Sequence, residues 1–594
     1  MKNEAEYREN GLGISSGIAI GPAWIIDQQG VSVPEYEVSS RDTKKEIRRL
    51  HAAITKTLRQ LSLLRQKAES RAAGGSDMAL LLDAYKGMLS GSRLVRGVED
   101  MIAHQRINAE AAIQRQIAAT KASFDAMGDP YLAARAADVG EVGLRLIRNL
   151  LQQKHNPFAD APRGSVIIAE DITPADAALM NPGHVSGFAT VLGGAESHAA
   201  IMARALGFPA ISGIAGLSTH VHSGDTVIID GSNGTIILRP TPETLQNYRQ
   251  LLAQQKRAEQ KLRSLRDVPS VTPDGTTIVL QANLELPRDV KAALAVGASG
   301  VGLLRTEFLF MNRPDLPDEN EQYESLRKII QKLDGKPLTI RTLDVGGEKL
   351  ATALGDKLGE SVNPALGLRA VRLSLREPKL LETQLAAILR ASVHGPVRIL
   401  VPMVSSVAQM KQVREHLMQV ERRLHRRGIK LNGLPPVGAM IEIPAAAISA
   451  DALARVCDFF AIGSNDLTQY TLAIDRGDDR VADLYDPFHP AVLRLIQFTV
   501  AAAWRANIPV SLCGEMAGDK RATALLLGLG LREFSMSPLR LPAVKQEIRQ
   551  TSLPQAVVFA ESIMALSNES EIRAMLDGGI AAGQTVTRLK KHKV

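Results

Sequence analysis

Two hydrophobic periods divide this chain. Residues 11–38 and 164–240 are rich in Gly, Ile and Val, and runs such as SVIIAED, GFATVLGG and DTVIIDG predict short strands. Between them, from about Arg41 to Leu151, apolar positions recur at helical spacing, as in IRRLHAAITKTLRQLSLL and MALLLDAYKGML, with few β-branched runs. This predicts an α-helical bundle (39–151) inserted into a discontinuous α/β domain (1–38 and 152–240). Residues 241–268 are charged and Gln-rich, which suits a solvated linker helix.

Beyond residue 270 the pattern changes again. The runs TIVLQAN, GVGLLRTE, PLTIRTLDV, VRILVPMV, VGAMIEI, FFAIGSND, PVSLCGE and REFSMS are separated by helical patterns such as LLETQLAAILRASV and ATALLLGLGL. Strands alternating with helices indicate βαβ units, and eight of them predict a (β/α)8 TIM barrel over 269–594. The fold class is therefore α/β multidomain.

Composition narrows the function classes. A chain of 594 residues should form two to four domains. The polar start MKNEAEYREN is not expected to be a signal peptide, and with no run of 18 apolar residues no membrane insertion is expected. The two cysteines, Cys457 and Cys513, make no disulfide framework and suit a reducing, cytoplasmic compartment. Net charge is +8, and residues 41–150 hold 19 Lys/Arg against 12 Asp/Glu, so the insert should favour an acidic partner. No nucleic-acid partner is expected, because there is neither an aromatic-rich basic strip nor a Cys/His finger.

Barrel enzymes work at the C-terminal ends of their strands. Here those ends carry Asn283, Arg305 with Glu307, Arg341 with Asp344, Met403, Glu442, Asn465 with Asp466, and Cys513 with Glu515. Arg305, Arg341 and Arg476 would gather round one anion, since a guanidinium fork matches phosphate or carboxylate oxygens. Glu442 and Asp466, hard ligands with no His or Cys beside them, either hold Mg2+ or neutralise the arginines without a metal. Cys513 is either a small buried hydrophobe or an acid or nucleophile facing the ligand.

In GGAESHAAIMARALGFPAI, Ser197 is a good N-cap, and Gly207 with Pro209 stops the chain, so His198 opens a helix of about nine residues. A helix N-terminus disfavours imidazolium and welcomes an anion, which suits a phosphate-accepting imidazole. Gly193 and Gly194 would let backbone N–H groups approach the phosphate. The alternative is a histidine that merely follows a cap.

With these residues assembled, the chain resembles enzyme I of the bacterial phosphoenolpyruvate:sugar phosphotransferase system. The likeness runs from GISSGIAIGPA through SHAAIMARALGFPAISG to GVGLLRTEFLFMNR, IRTLDVGGEK, NPALGLRAVR, IEIPAAA, FFAIGSNDLTQYTLAIDRGDD and LCGEMAGD. The resemblance implies that His198 is phosphorylated by phosphoenolpyruvate, with release of pyruvate. Arg305, Arg341 and Arg476 match the substrate clamp with Asn465, while Glu442 and Asp466 match Mg2+ ligands, Asp466 also lying against the substrate. Cys513 matches the acid that protonates the enolate. The helical insert matches the docking domain for the histidine-containing carrier protein HPr, the first step of sugar uptake, and the barrel matches the homodimer contact. The α/β domain is then expected to swing between barrel and insert about the linker.

One departure stands out. The family usually shows Thr-Ser-His, whereas this chain has Ala195-Glu196-Ser197-His198. Glu196 would repel a phosphorylated imidazole by about 1 kcal/mol, point to solvent, or orient the ring. Two rivals remain. Pyruvate phosphate dikinases need a nucleotide-binding domain for which the chain has no room, and a degenerate, non-catalytic member has only Glu196 in its favour. Relatives in regulatory branches usually carry a further N-terminal sensory domain, so the sugar-type architecture is expected.

Overall fold

The computed structural model describes residues 5–26, 33–69, 75–90, 92–125, 130–153, 157–177, 179–181, 183–194, 197–310, 313, 315–346, 363–475, 481 and 484–591. The chain divides into two compact units, Met1–Arg257 and Ala258–Val594.

The first unit is built on one sheet. Its strands are β1 (Tyr7–Asn10), β2 (Leu12–Ser15), β3 (Ile18–Ile26), β4 (Ser165–Ala169), β5 (Val185–Thr190), β6 (Ala210–Ser212), β7 (Thr226–Asp230) and β8 (Thr235–Leu238). They lie in the order β1-β8-β7-β3-β4-β5-β6-β2. β1 and β2 sit at opposite ends of that order, yet only Gly11 separates them, so the sheet must curl back on itself. Glycines permit the crossings: a Cβ on Gly21 would lie 1.9 Å from the Gly164 carbonyl oxygen.

Between β3 and β4 the described residues form five helices: α1 (Thr43–Glu69), α2 (Gly75–Leu89), α3 (Arg93–Gln105), α4 (Ala109–Asp125) and α5 (Pro130–Leu150). β4 is buried on both faces, and its period-two alternation separates two cores. Ile167 and Ala169 pack with Leu50, Leu82, Ile102 and Ile113 of the helices, while Val166 and Ile168 pack with Ala189, Ile211 and Val227. The first core also takes Ala199, Ala200, Met202 and Ala203 from the helix His198–Leu206. Small residues there bring that helix close to its neighbours.

The second unit holds β9 (Val279–Leu284), β10 (Val301–Leu304), β11 (Leu338–Arg341), β12 (Val397–Val401), β13 (Val437–Ile441), β14 (Phe460–Ile462), β15 (Val510–Leu512) and β16 (Glu533–Met536). All eight pair in parallel and close into a barrel, β16 joining β9. Each falls on one of the apolar runs that predicted it. Alternate residues point opposite ways: Ile399, Val401, Ala439, Ile441 and Ile462 face the surrounding helices, while Leu303, Leu400, Met440 and Ala461 fill the interior with Phe459 and Cys513.

The charged helix is shorter than its composition suggests, spanning Pro242–Arg263 rather than 241–268. Beyond Arg263 the bonding tightens to three-residue turns, Leu265 N to Leu262 O, Arg266 N to Arg263 O and Val268 N to Leu265 O, and Lys545 Nζ donates as well to the carbonyls of Leu265 (3.1 Å) and Arg266 (3.0 Å). Among the described residues, no helix is long and apolar enough to cross a membrane.

Candidate phosphoryl-transfer site

The barrel rim follows from the same alternation. Leu338 and Ile340 face outward, so Thr339 and Arg341 face inward. Leu280 and Ala282 likewise turn Gln281 and Asn283 inward, and Val510 and Leu512 turn Ser511 and Cys513 inward. Arg305 lies two residues beyond inward Leu303, and Glu442 two beyond inward Met440. The polar residues that end these strands thus share one mouth.

Arg341 is the most enclosed cation there, only 7% exposed. Its Nη2 lies 3.1 Å from Glu307 Oε1 and its Nη1 3.0 Å from Asp344 Oδ2. Burial works against its charge, but Glu307, Asp344, Glu442 and Asp466 outweigh it and raise the guanidinium pKa. Asp344 pairs as well with Arg369 Nη2 at 2.8 Å. Burial opposes its charge too, and Arg341 and Arg369 overcome this, holding its carboxyl below the usual range. Arg305 is more open and pairs with Glu285. Arg476 lies outside the described residues.

Glu442 is fully buried. Its Oε1 accepts a 2.6 Å hydrogen bond from Met403 N, a residue held at φ +55°, and its Oε2 has no partner among the described residues. Burial first, then the charges of Asp344 and Asp466, push its carboxyl well above the ordinary range. Asp466 stands in the first turn of the helix Ser464–Leu472, directly after Asn465. The carboxylates that neutralise Arg341 are therefore Glu307 and Asp344, which leaves an oxygen of Glu442 unspent. Among the described residues, no group of three or more His, Cys, Asp or Glu is arranged to hold a metal ion. A cation at Glu442 and Asp466 would take its other ligands from water and substrate, as Mg2+ commonly does.

Cys513 is 3% exposed, and its thiol lies 3.4 Å from the Ile462 carbonyl oxygen. Burial pushes it up to about 12, with the Glu442 charge adding to the effect. At neutral pH it is a thiol, which suits an acid rather than a nucleophile. Asn283 Nδ2 donates to the Cys513 carbonyl (2.9 Å), and Asn283 Oδ1 accepts from Ser535 (2.6 Å). Asn465 is fixed by Glu515, accepting from its N–H at 2.9 Å and donating to its Oε1 at 3.1 Å.

The histidine segment lies in the first unit. Ser197 caps the helix, its side chain accepting from Ala200 N at 3.2 Å, and Gly207 closes it in the left-handed region. His198 is its first residue. Ala195 and Glu196 lie outside the described residues. Gly193, at φ +114°, turns the chain into the helix, and its carbonyl accepts from Ser212 Oγ at 3.0 Å.

Strand-end reading noted Glu307 and Asp344 but gave them no role, and it passed over Arg369. Arg369 stands in a loop beyond β11, so no strand-end pattern marks it, although it belongs to the string NPALGLRAVR. The left-handed Ala370 (φ +50°) beside it is visible only in the structure.

Comparison with known proteins adds to this geometry. Three family models match: PEP-utilising enzyme, N-terminal, over residues 10–135; mobile domain, over 161–234; and PEP-binding domain, over 259–553. Phosphoenolpyruvate-protein phosphotransferase of Geobacillus stearothermophilus is 40% identical over 95% of this chain and 96% of its own length. Those of Bacillus sp. (strain S), at 39% over 95% and 96%, and of Cupriavidus necator, at 41% over 96% and 98%, are similarly close. With identity of this degree across nearly the whole of both chains, this chain is a phosphotransferase and belongs to the enzyme I-type phosphoenolpyruvate-protein phosphotransferase family.

Proposed function

We propose that phosphoenolpyruvate binds at the barrel rim, that its phosphoryl group passes to His198, and that the phosphohistidine then serves the carrier protein HPr as the first step of sugar uptake. One observation carries this reading. Arg341 Nε, Glu307 Oε2 and Glu442 Oε2 are buried polar atoms of one charged rim, and none has a partner among the described residues. Native structures rarely leave such atoms unmatched, so an anionic oxygen for the guanidinium donor and a cation for the carboxylate oxygens are the natural partners.

Charge supports the same reading. Arg305, Arg341 and Arg369 stand with Glu307, Asp344 and Asp466, and the Glu442 carboxyl is pushed well above the ordinary range, so among the described residues the rim has no surplus of cations. A multiply charged anion needs further positive charge there. Arg476 supplies part of it, and the free oxygen of Glu442 with nearby Asp466 fits a hard divalent cation. Mg2+ held by those two carboxylates would neutralise charge on the phosphoryl and enolate oxygens.

The protein's own groups do the rest. Arg305, Arg341 and Arg476 orient the phosphoryl group and Asn465 steadies the substrate. The neutral imidazole of His198 attacks phosphorus through Nε2 as the bridging P–O bond breaks and pyruvate enolate leaves. Cys513 gives its proton to the enolate carbon, and the thiolate is reprotonated by water. Because its pKa is raised, that reprotonation is favourable. Ser197 and the backbone around Gly193 and Gly194 then steady the phosphohistidine at the helix N-terminus.

The carrier docks on the helical insert 39–151, the discontinuous domain 1–38 and 152–240 bears the histidine, and 269–594 binds phosphoenolpyruvate and forms the homodimer. His198 has to visit the rim and then the carrier, swinging about the 241–268 segment. The enzyme works in the cytoplasm.

Incubation with radiolabelled phosphoenolpyruvate and Mg2+, followed by a chase with candidate carriers across a salt series, tests this reading. Acid-labile label should appear on His198 without nucleotide and move to one carrier, more slowly as salt rises, because the insert is basic. Label that requires ATP, or that lies elsewhere, would refute it.

A further inference from the structure

We infer that Asp344 is a positioning residue of the donor site, setting the orientation in which Arg341 meets the phosphoryl group. This rests on the reading of Arg341 as part of the clamp.

Asp344 is the centre of an alternating chain of charges. Glu307 Oε1 takes Arg341 Nη2 at 3.1 Å, Arg341 Nη1 meets Asp344 Oδ2 at 3.0 Å, and Asp344 Oδ1 meets Arg369 Nη2 at 2.8 Å. Arg369 Nη1 continues to the Tyr470 hydroxyl at 3.3 Å, which donates to the Ala365 carbonyl at 2.6 Å. The chain joins the segments after β10 and β11, the loop before Ala370, and the helix Ser464–Leu472, whose first turn holds Asn465 and Asp466. Glu307 Oε1 also accepts from Asp344 N at 3.0 Å, so backbone and side chain are fixed by one carboxylate.

The placement has a specific consequence. An arginine side chain turns about several bonds, yet two carboxylates, from the segments after β10 and β11, grip both Nη atoms of Arg341. Nη1 also meets Met440 Sδ at 3.9 Å, and Nε, with no partner among the described residues, is left for an incoming anion. Asp344 thus spends negative charge inside an anion site, which weakens anion binding, and gains a fixed guanidinium plane in exchange. Orientation matters most at the transition state, whereas net charge matters to ground state and transition state alike.

Substitution should separate the two effects. Asp344→Asn keeps the shape and removes the charge. In the full-length enzyme with saturating Mg2+, kcat for phosphoenolpyruvate should fall about 100-fold. KM should stay level or drop, because the rim has become more positive. Transfer from already phosphorylated enzyme to the carrier should keep its normal rate. A kcat within about threefold of wild type would overturn the inference, and so would a raised KM with a lowered Tm, which marks a merely structural ion pair. If Asp344→Asn does not fold, Glu307→Gln stands in. It should show the same split at about tenfold, and normal kinetics there would equally overturn the inference. Arg341→Ala separates this from the clamp reading. Full activity in that variant refutes the clamp, whereas loss of activity there with a normal Asp344→Asn refutes only the positioning role.

Discussion

Gly463 and Glu442 meet so closely that a Cβ on Gly463 would lie 2.8 Å from Glu442 Oε2 and 2.7 Å from Met440 Cε. The carboxylate oxygen with no partner therefore owes its place to the missing side chain. Gly463→Ala should shift Glu442 and weaken Mg2+ binding by about 10- to 100-fold, while the overpacking costs about 1–3 kcal/mol of stability. The Mg2+ concentration that gives half-maximal autophosphorylation measures this. An unchanged requirement would mean that Glu442 is not a ligand.

Cys513 is a buried thiol whose proposed role is one proton transfer. Replacing it with Ala should slow pyruvate formation by about 10²–10⁴-fold with little loss of stability. In wild type the thiol should react slowly with iodoacetamide at pH 8, since burial holds it up to about 12. Mass spectrometry of the alkylated peptide checks the second point. Rapid alkylation of folded enzyme at Cys513 would contradict the protonated, buried thiol.

The turn into the histidine helix depends on Gly193. At φ +114° an L side chain is strained, and its Cβ would stand 3.1 Å from Ser197 Oγ, the capping atom. Gly193→Ala should cost about 1–3 kcal/mol locally and slow phosphorylation of His198 by tenfold or more. Phosphoenolpyruvate affinity, measured by titration calorimetry, should not change, because the barrel lies in the other unit. An equal loss of affinity would argue against that division of labour.

Glu141 on α5 makes one part of stability depend on pH. The Tyr85 hydroxyl lies 2.5 Å from Glu141 Oε2 and 3.1 Å from Asp138 Oδ1, and one hydroxyl proton cannot serve both carboxylates. Burial pushes Glu141 up to about 7 from its ordinary 4.5. The folded protein keeps this proton to higher pH than the unfolded chain, so its contribution is complete below about pH 4.5. It is lost as pH rises towards 7 and then levels off, a change of order 3 kcal/mol. Glu141→Gln should narrow the Tm difference between pH 5 and pH 8. An unaltered difference would assign the pH dependence elsewhere.

The sequence displayed whatever has a local period. The eight barrel strands follow from apolar runs, and the inward side chains at their ends follow from period two, which brought Arg341, Glu442 and Cys513 into view. Ser197 and Gly207 bounded the histidine helix as cap residues do. What stayed hidden depends on contacts distant in sequence. Glu307 and Arg341 pair across 34 positions, and Arg369 reaches Asp344 from a loop, so no spacing rule marks either. The carbonyls just past the linker helix, those of Leu265 and Arg266, meet Lys545 from far along the chain. The role of Gly463 is a matter of steric clearance, which only packing reveals.

The account turns on His198 as the acceptor of phosphorus. His198→Ala, incubated with labelled phosphoenolpyruvate and Mg2+, should gain no acid-labile phosphate and pass none to a carrier, although it binds phosphoenolpyruvate normally. Acid-labile label accumulating in that variant at the wild-type rate would contradict the central claim.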